Sequence, residues 1–166
     1  MKKIGWAMVF GLGLVMMTAP VFAASVQETL TVNAAVSARA KLTLGVAAIN
    51  FADADPDAVP SIGATENPVS VEVKIRTGAS STATLEHLAA GPLTSGTDTI
   101  AISNVTWTAG GNGFVGGTMD SATPQSAGSW TGSGDRSSTF SFSFANSWNY
   151  AAGNYTATST YTLTAP

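Results

Sequence analysis

The 166-residue sequence contains no cysteine and a single histidine, His87. Without cysteine the chain can form no disulfide, carry no thiol-linked lipid and build no zinc site of the common cysteine-rich kind. A Ser-His-Asp arrangement could be built only around this one histidine, and no nucleophile motif surrounds it. We therefore expect a non-enzymatic protein without a cofactor, in which His87 is a polar residue on a strand or turn.

Charged residues are also scarce, at 10% of the chain, and the net charge is −3 at pH 7. An acidic balance repels the phosphate backbone, so no nucleic-acid partner is expected. Ser, Thr, Gly and Ala dominate the remainder, but the regular spacing of the apolar residues argues against disorder. The β-branched residues between them favour strands, and we expect almost no helix.

The N-terminus has the three zones of a secretory signal. Two lysines precede an apolar run at residues 4–17, and small residues end the segment near Ala23. The run is shorter than the roughly 20 residues that span a bilayer as a helix, so we expect cleavage after Ala23 and no transmembrane anchor. The sequence thus predicts a signal peptide at 1–23 and one domain at 24–166. We expect the mature protein to be secreted, at the bacterial cell surface or in the periplasm.

Residues 30–44 alternate apolar and polar side chains, as a half-buried strand does. An unbroken strand of this length would measure about 50 Å, longer than is usual in globular sheets. Two interpretations remain open. The segment is a first strand that crosses between sheets, or residues 24–36 form an arm that adds to the sheet of another copy. The side chains that such an arm would insert are Leu30, Val32, Ala34 and Val36.

Further strand-like patterns are predicted at residues 69–76, 83–88, 100–107 and 140–144. The stretch at 83–88 is expected to form a hairpin with 69–76, and a bulge is expected at Ser103 and Asn104. Residues 109–138, rich in glycine and serine, are predicted to be mostly loop, with room for one weak strand. About seven or eight short strands favour an all-β, immunoglobulin-like antiparallel β-sandwich, with a β-barrel as the alternative.

Asp53, Asp55 and Asp57 resemble the opening of a calcium-binding loop, because carboxylates at alternate positions can converge on one hard cation. Ala58 and Ala64 stand where that motif needs a glycine and a glutamate. The sequence therefore predicts turn formation by aspartate and proline here, with a looser Ca²⁺ site as the alternative. No other metal site is predicted.

The tryptophans divide into two groups. Trp107 and Trp148 lie in apolar strand-like patterns and are expected in the core, whereas Trp130 lies in the glycine- and serine-rich stretch. An exposed aromatic ring can contact the apolar face of a sugar. Trp130 is therefore a candidate glycan contact. It supports an alternative function, a monomeric cell-surface module that binds polysaccharide or cell wall.

A second alternating pattern occupies the C-terminus, and Gly153 begins it as the fourteenth residue from the end. The predicted docking strand carries Gly153, Tyr155, Ala157, Tyr161 and Leu163. A glycine at this position, followed by alternating apolar residues, resembles the C-terminus of fimbrial subunits of the chaperone-usher kind and their spore-coat-U-like relatives. The penultimate Ala165 departs from the aromatic residue of that pattern, and the disulfide common in such subunits is absent. The last six residues also resemble the end of cell-surface WxL domains, with tyrosine in place of tryptophan.

This resemblance implies an exported structural subunit of a bacterial surface assembly, pilin-like or coat-like, that polymerises by strand exchange. It also implies self-association or related subunits as partners, together with a periplasmic chaperone. In such an exchange the backbone of the inserted strand supplies hydrogen bonds, and its side chains set the register.

Overall fold

The computed structural model describes residues 25–166. The predicted signal peptide at 1–23 and the first residue of the predicted arm, Ala24, lie outside the described residues. Two units are distinguished, residues 1–34 and residues 35–166. The described part of the first unit contains no strand or helix. Among residues 25–166, no helix has the length and apolar character needed to cross a bilayer.

Residues 35–166 form eleven strands. They are β1 (Arg39–Leu44), β2 (Ser61–Gly63), β3 (Val69–Arg76), β4 (Thr82–Ala89), β5 (Leu93–Ser95), β6 (Asp98–Ile100), β7 (Val105–Ala109), β8 (Gly117–Thr118), β9 (Gln125–Thr131), β10 (Gly134–Ala145) and β11 (Ser159–Thr164). The number exceeds the prediction because strands of two or three residues are too short to show an alternating pattern.

Nine of these strands form two antiparallel sheets, and β5 and β6 pair only with each other. The first sheet has the order β1-β3-β10-β7-β8, and β2 pairs with the C-terminal part of β10. The second sheet has the order β11-β4-β9. The part of the chain described is therefore an all-β antiparallel sandwich, as predicted, and its sheets do not close into a barrel.

The two sheets bury their apolar faces against each other. In β3 the residues alternate between buried and more exposed positions, because successive side chains of a strand point to opposite faces. Val71 and Val73 of β3 belong to the same core cluster as Leu85 of β4 and Phe140 of β10. Each of these four side chains is at most 1% exposed.

Three predictions about the interior are wrong. β4 forms no hairpin with β3 but joins β9 and β11, because the chain crosses between the sheets at residues 77–81. Residues 109–138 are not mostly loop, since β9 and the start of β10 lie there. The expected bulge is one turn of 3₁₀ helix, Ile102–Asn104, which shifts the alternation so that Ile102 and Val105 are both buried.

The long N-terminal alternation is only partly a strand. β1 uses its last six residues, pairs with β3 and lies at the edge of the first sheet. The Nε of Arg76 donates a hydrogen bond of 2.7 Å to the carbonyl oxygen of Ser37, which holds the chain against β3 just before β1 begins. A first strand that crosses between the sheets is therefore not present, and residues 25–38 form no strand.

Candidate assembly site

The predicted arm carries exposed apolar side chains at alternate positions. Leu30, Val32 and Val36 are 86%, 82% and 70% exposed, and Ala34 is also exposed. Monomeric proteins usually scatter single apolar residues over the surface rather than concentrate them in one segment. Because residues 25–38 form no strand, their backbone groups belong to no sheet ladder. The segment thus has both features of a strand that lacks a partner.

β11 contains the second half of the predicted docking strand. It pairs with β4 alone, so its other side is the border of the second sheet. Tyr161 and Leu163 pack on the core but are only half-buried. An added strand could pair with this backbone edge and bury the two side chains further.

The first sheet ends at the same flank. β1 is its border strand and lies close to β11. Leu42 of β1 packs on the core and, like Tyr161, is half-buried. The flank between β1 and β11 therefore has two strand edges and a row of partly covered apolar side chains.

The first half of the predicted docking strand is not a strand. Thr156 exchanges two backbone hydrogen bonds of 3.0 Å with Thr94, which draws the chain toward the β5–β6 hairpin. Tyr155 is half-buried and Ala157 is exposed. Gly153 lies against Ser95, whose Cβ would be 2.9 Å from an added Cβ. The prediction of one docking strand from Gly153 onward is therefore wrong before Ser159.

An open groove of about 1210 Å³ lies where β1 and β10 end and β11 begins. The segments at 48–56 and 146–157 form its walls. Buried core residues, including Ile62, Val105 and Met119, line its inner side. The groove thus borders the apolar core at the same end of the sandwich where β11 starts.

His87 is fully buried in the core rather than placed on a polar face. Its ring centroid lies 5.2 Å from that of Trp107 and 4.8 Å from that of Tyr161. Among the described residues, neither ring nitrogen of His87 nor the Tyr161 hydroxyl has a hydrogen-bond partner. Burial disfavours the charged forms, which lowers the pKa of His87 and raises the pKa of Tyr161. The aromatic surroundings therefore favour the neutral form of the imidazole.

Trp130 is not in a loop, and its prediction as a glycan contact is wrong. It lies in β9 and is 6% exposed. Its Nε1 donates a hydrogen bond of 2.7 Å to the carbonyl oxygen of Asn112, and its ring packs edge-on against Phe114 at 4.7 Å. Gly113 permits this approach, because a Cβ there would lie 2.5 Å from the Trp130 Nε1. A side chain buried in this way has no face free for a sugar.

The prediction for Trp148 is wrong in the opposite direction. Expected in the core, it is 68% exposed and is the one exposed aromatic side chain among residues 25–166. It lies at the groove in a loop held by hydrogen bonds. The Tyr150 hydroxyl donates to the Ala145 carbonyl oxygen at 3.1 Å, and the Asn149 N–H donates to the Ser147 Oγ at 3.2 Å. The sequence pattern missed this exposure because the strand ends at Ala145, before the tryptophan.

Asp55 and Asp57 of the candidate calcium loop form turn contacts. The Asp55 carboxylate accepts a hydrogen bond of 2.9 Å from the Asp57 N–H, and its backbone carbonyl accepts one of 2.8 Å from the Val59 N–H. Aspartate stabilises turns in this way. Within residues 25–166, no three His, Cys, Asp or Glu side chains are placed to hold a metal ion. Asp53, Asp55 and Asp57 are therefore not brought together as a metal site.

No protein-family model, curated protein or solved structure matches the chain. What the protein does is therefore inferred from its residues and their geometry.

Proposed function

We propose that this protein is an exported, non-enzymatic structural subunit of a bacterial surface assembly, in which residues 24–36 of one copy pair with a strand edge of another. The observation that carries the proposal is the exposure of Leu30, Val32 and Val36 on a segment without a strand partner. The N-terminal charge and hydropathy pattern supports export. The open flank between β1 and β11 supports an acceptor on the same chain.

The free energies of burial, association and hydrogen bonding favour a strand edge over a flat surface as the acceptor. Full burial of a leucine or valine side chain contributes about 1.5–3 kcal/mol, so three of them contribute about 5–9 kcal/mol. Association costs about 4–15 kcal/mol, which these side chains alone barely offset. Each ladder hydrogen bond adds about 0.5–1.5 kcal/mol, and only an exposed strand edge can supply several of them.

The acceptor that we propose is the flank between β1 and β11, continued by the groove at its end. The inserted arm would there bury the half-buried side chains of Leu42, Tyr161 and Leu163 more fully. A periplasmic chaperone that covers the same flank before assembly is a second proposed partner, and related subunits with similar arms are a third.

Deletion of residues 24–36 tests the proposal. The full chain is expected to form oligomers or filaments, seen by light scattering after size exclusion and by negative-stain microscopy. The shortened protein is expected to remain a folded monomer, because β1 begins at Arg39 and the deletion keeps Ser37, which Arg76 binds. If both forms are folded monomers, strand exchange through this segment is wrong.

A monomeric module that binds polysaccharide is the second candidate function, and Trp148 is the residue that favours it. An indole 68% exposed beside a groove of this size can contact the apolar face of a sugar ring. Glycan-array binding by the monomer, lost in Trp148→Ala and kept in the exposed control Val115→Ala, would support this function. Absence of binding in the unaltered protein would contradict it.

A further inference from the structure

All the lysines and arginines of the described chain lie at one end of the sandwich formed by residues 35–166. The sequence has seven such residues, and Lys2 and Lys3 lie outside the described part, which leaves five. They lie where β1 begins, β3 ends and β10 begins. This basic end consists of Arg39, Lys41, Lys74, Arg76 and Arg136.

The strand register places like charges opposite each other at the basic end. Arg39 lies directly across from Arg76, and Lys41 lies directly across from Lys74. Like charges in this arrangement destabilise a sheet. Lys74 is compensated, since its Nζ lies 3.1 Å from a Glu72 carboxylate oxygen and 3.2 Å from one of Asp135. No other cation in the described part of the chain forms a salt bridge, so the end keeps uncompensated positive charge.

The opposite end of the sandwich carries only negative charge among the described residues. This acidic end lies where β1 and β10 end and β11 begins. Asn146, just after β10, anchors the loop after β1 by donating to the carbonyl oxygens of Ala54 and Val59 at 2.9 and 3.1 Å. The acidic end consists of Asp53, Asp55, Asp57, Glu66, Asp98 and Asp120.

Two of these carboxylates are fixed in place by hydrogen bonds. Glu66 accepts hydrogen bonds of 2.7 Å from the side chain and the backbone of Asn50, and both contacts lower its pKa. Asp120 accepts backbone hydrogen bonds of 2.7 and 3.3 Å from Ala122 and Thr123, which lower its pKa as well. The hydrogen bonds therefore favour the charged forms of these two side chains.

The point where the arm joins β1 and the groove lie at opposite ends of the sandwich formed by residues 35–166. Residues 35–38 join β1 at Arg39, so the arm leaves the sandwich from the basic end. The groove opens at the acidic end, and Asp53 and Asp55 line it. The residues of the arm and its link, 25–38, can reach roughly 45 Å when extended, about the length of a strand such as β10.

We propose that this charge polarity orients successive copies head to tail. The basic end of one copy docks on the acidic end of the next, which brings its arm to the groove there. The inference rests on the proposed strand exchange and adds its direction and its steering force. A second copy is the partner that fits, because a single chain carries both complementary charges, at opposite ends. Repetition of such a heterologous contact generates an open filament.

Charge reversal at either end tests the inference. In Arg39→Glu/Lys41→Glu the basic end carries more carboxylates than cations, and in Asp53→Lys/Asp57→Lys the loop at 53–57 beside the groove carries two lysines and one aspartate. Asp55, Arg76 and Lys74 are left unsubstituted, because their hydrogen bonds and salt bridges stabilise the local structure. Assembly of the full chain is followed by light scattering from about 0.01 to 1 M NaCl, over which the Debye length falls from about 30 to 3 Å. Circular dichroism and thermal melts establish that each variant is folded.

The unaltered protein is expected to assemble more slowly as salt rises. Each reversed variant alone is expected to assemble about tenfold or more slowly at low salt, because like charges then meet where the arm enters the groove and the attraction that steers the two copies together is lost. An equimolar mixture of the two variants is expected to recover the rate, since the reversed, acidic end of one variant can dock on the reversed, basic groove loop of the other. The control Ser126→Glu/Ser129→Glu, which adds charge to the exposed side of β9, is expected to match the unaltered protein.

Two results would overturn the inference while leaving strand exchange intact. One is assembly of both reversed variants at the unaltered rate and salt dependence. The other is failure of the mixture to recover, which would show that the charged ends bind something other than a second copy. A folded, unaltered protein that never assembles would instead contradict the proposed function, and this inference with it.

Discussion

His87 of β4 lies directly opposite Tyr161 of β11, with their ring centroids 4.8 Å apart in the core. Neither side chain has a hydrogen-bond partner among the described residues. Tyr161 is also one of the half-buried residues at the proposed acceptor flank. The pair thus connects the buried interior to the strand edge on which assembly is proposed to occur.

Acid is expected to destabilise the fold through His87. Burial lowers its pKa in the folded protein below the ordinary value of 6.5, so at lower pH the unfolded chain binds more protons than the folded one. The stability is complete above pH 6.5 and falls as the pH drops through that value, by at most about 1.4 kcal/mol per pH unit. Urea unfolding between pH 8 and pH 5 measures this dependence.

The variant His87→Phe removes the titrating group and keeps an aromatic ring. Its stability is expected to vary less with pH than that of the unaltered protein. Glu86→Gln, at the neighbouring outward position of β4, is the control and should keep the loss near pH 6. An equal pH dependence in His87→Phe and in the unaltered protein would assign the effect to other groups.

The buried Trp130 and the exposed Trp148 are expected to contribute very differently to the free energy of unfolding. Trp130→Ala is expected to lower the free energy of unfolding by about 3–5 kcal/mol, because it leaves a cavity beside Phe114 and frees the Asn112 carbonyl oxygen. Trp148→Ala is expected to change it by about 0.5 kcal/mol or less, since the ring is 68% exposed. Chemical denaturation measures both values. Equal losses would contradict the burial difference between β9 and the groove loop.

The side chain of Asn67 forms hydrogen bonds with the backbone of β10 as a neighbouring strand would. Its Nδ2 donates to the Phe142 carbonyl oxygen at 2.7 Å, and its Oδ1 accepts from the Phe142 N–H at 2.8 Å. Asn67→Ala is expected to cost about 1–3 kcal/mol, because it leaves the part-buried Phe142 N–H unpaired, whereas the Phe142 carbonyl oxygen keeps a hydrogen bond of 3.0 Å from the Ala64 N–H. Asn149→Ala, in an exposed loop, is the control. Hydrogen exchange at the Phe142 amide should accelerate in the first variant alone, and unchanged exchange would contradict the bond.

Sequence patterns predict the elements whose signal is local. β3 coincides with its predicted range, because one buried face repeats every second residue over eight positions. β9 shows no such repeat. Its buried positions include Ala127 and Gly128, small residues that leave room for other side chains, and a Cβ on Gly128 would overlap the Trp130 ring. A strand built from small residues resembles a loop in sequence.

The features of the candidate site depend on contacts between distant residues. Trp130 is buried by a turn at Asn112, 18 residues away, and Trp148 is exposed because β10 ends before it. The alternation of the arm is visible in the sequence, but its lack of a strand partner is not. Likewise, the positive charge concentrates only when the register of β1 and β3 sets Arg39 opposite Arg76.

The central claim, that the apolar side chains of the arm insert into another copy, is tested most directly by a matched pair of variants. Leu30→Asp/Val32→Asp places two carboxylates on the apolar face of the arm, and Thr31→Asp/Asn33→Asp adds the same charge on its other face. Sedimentation velocity of the two folded proteins measures their assembly. The account predicts monomers from the first variant and oligomers like those of the unaltered chain from the second, and equal assembly by both variants would contradict it.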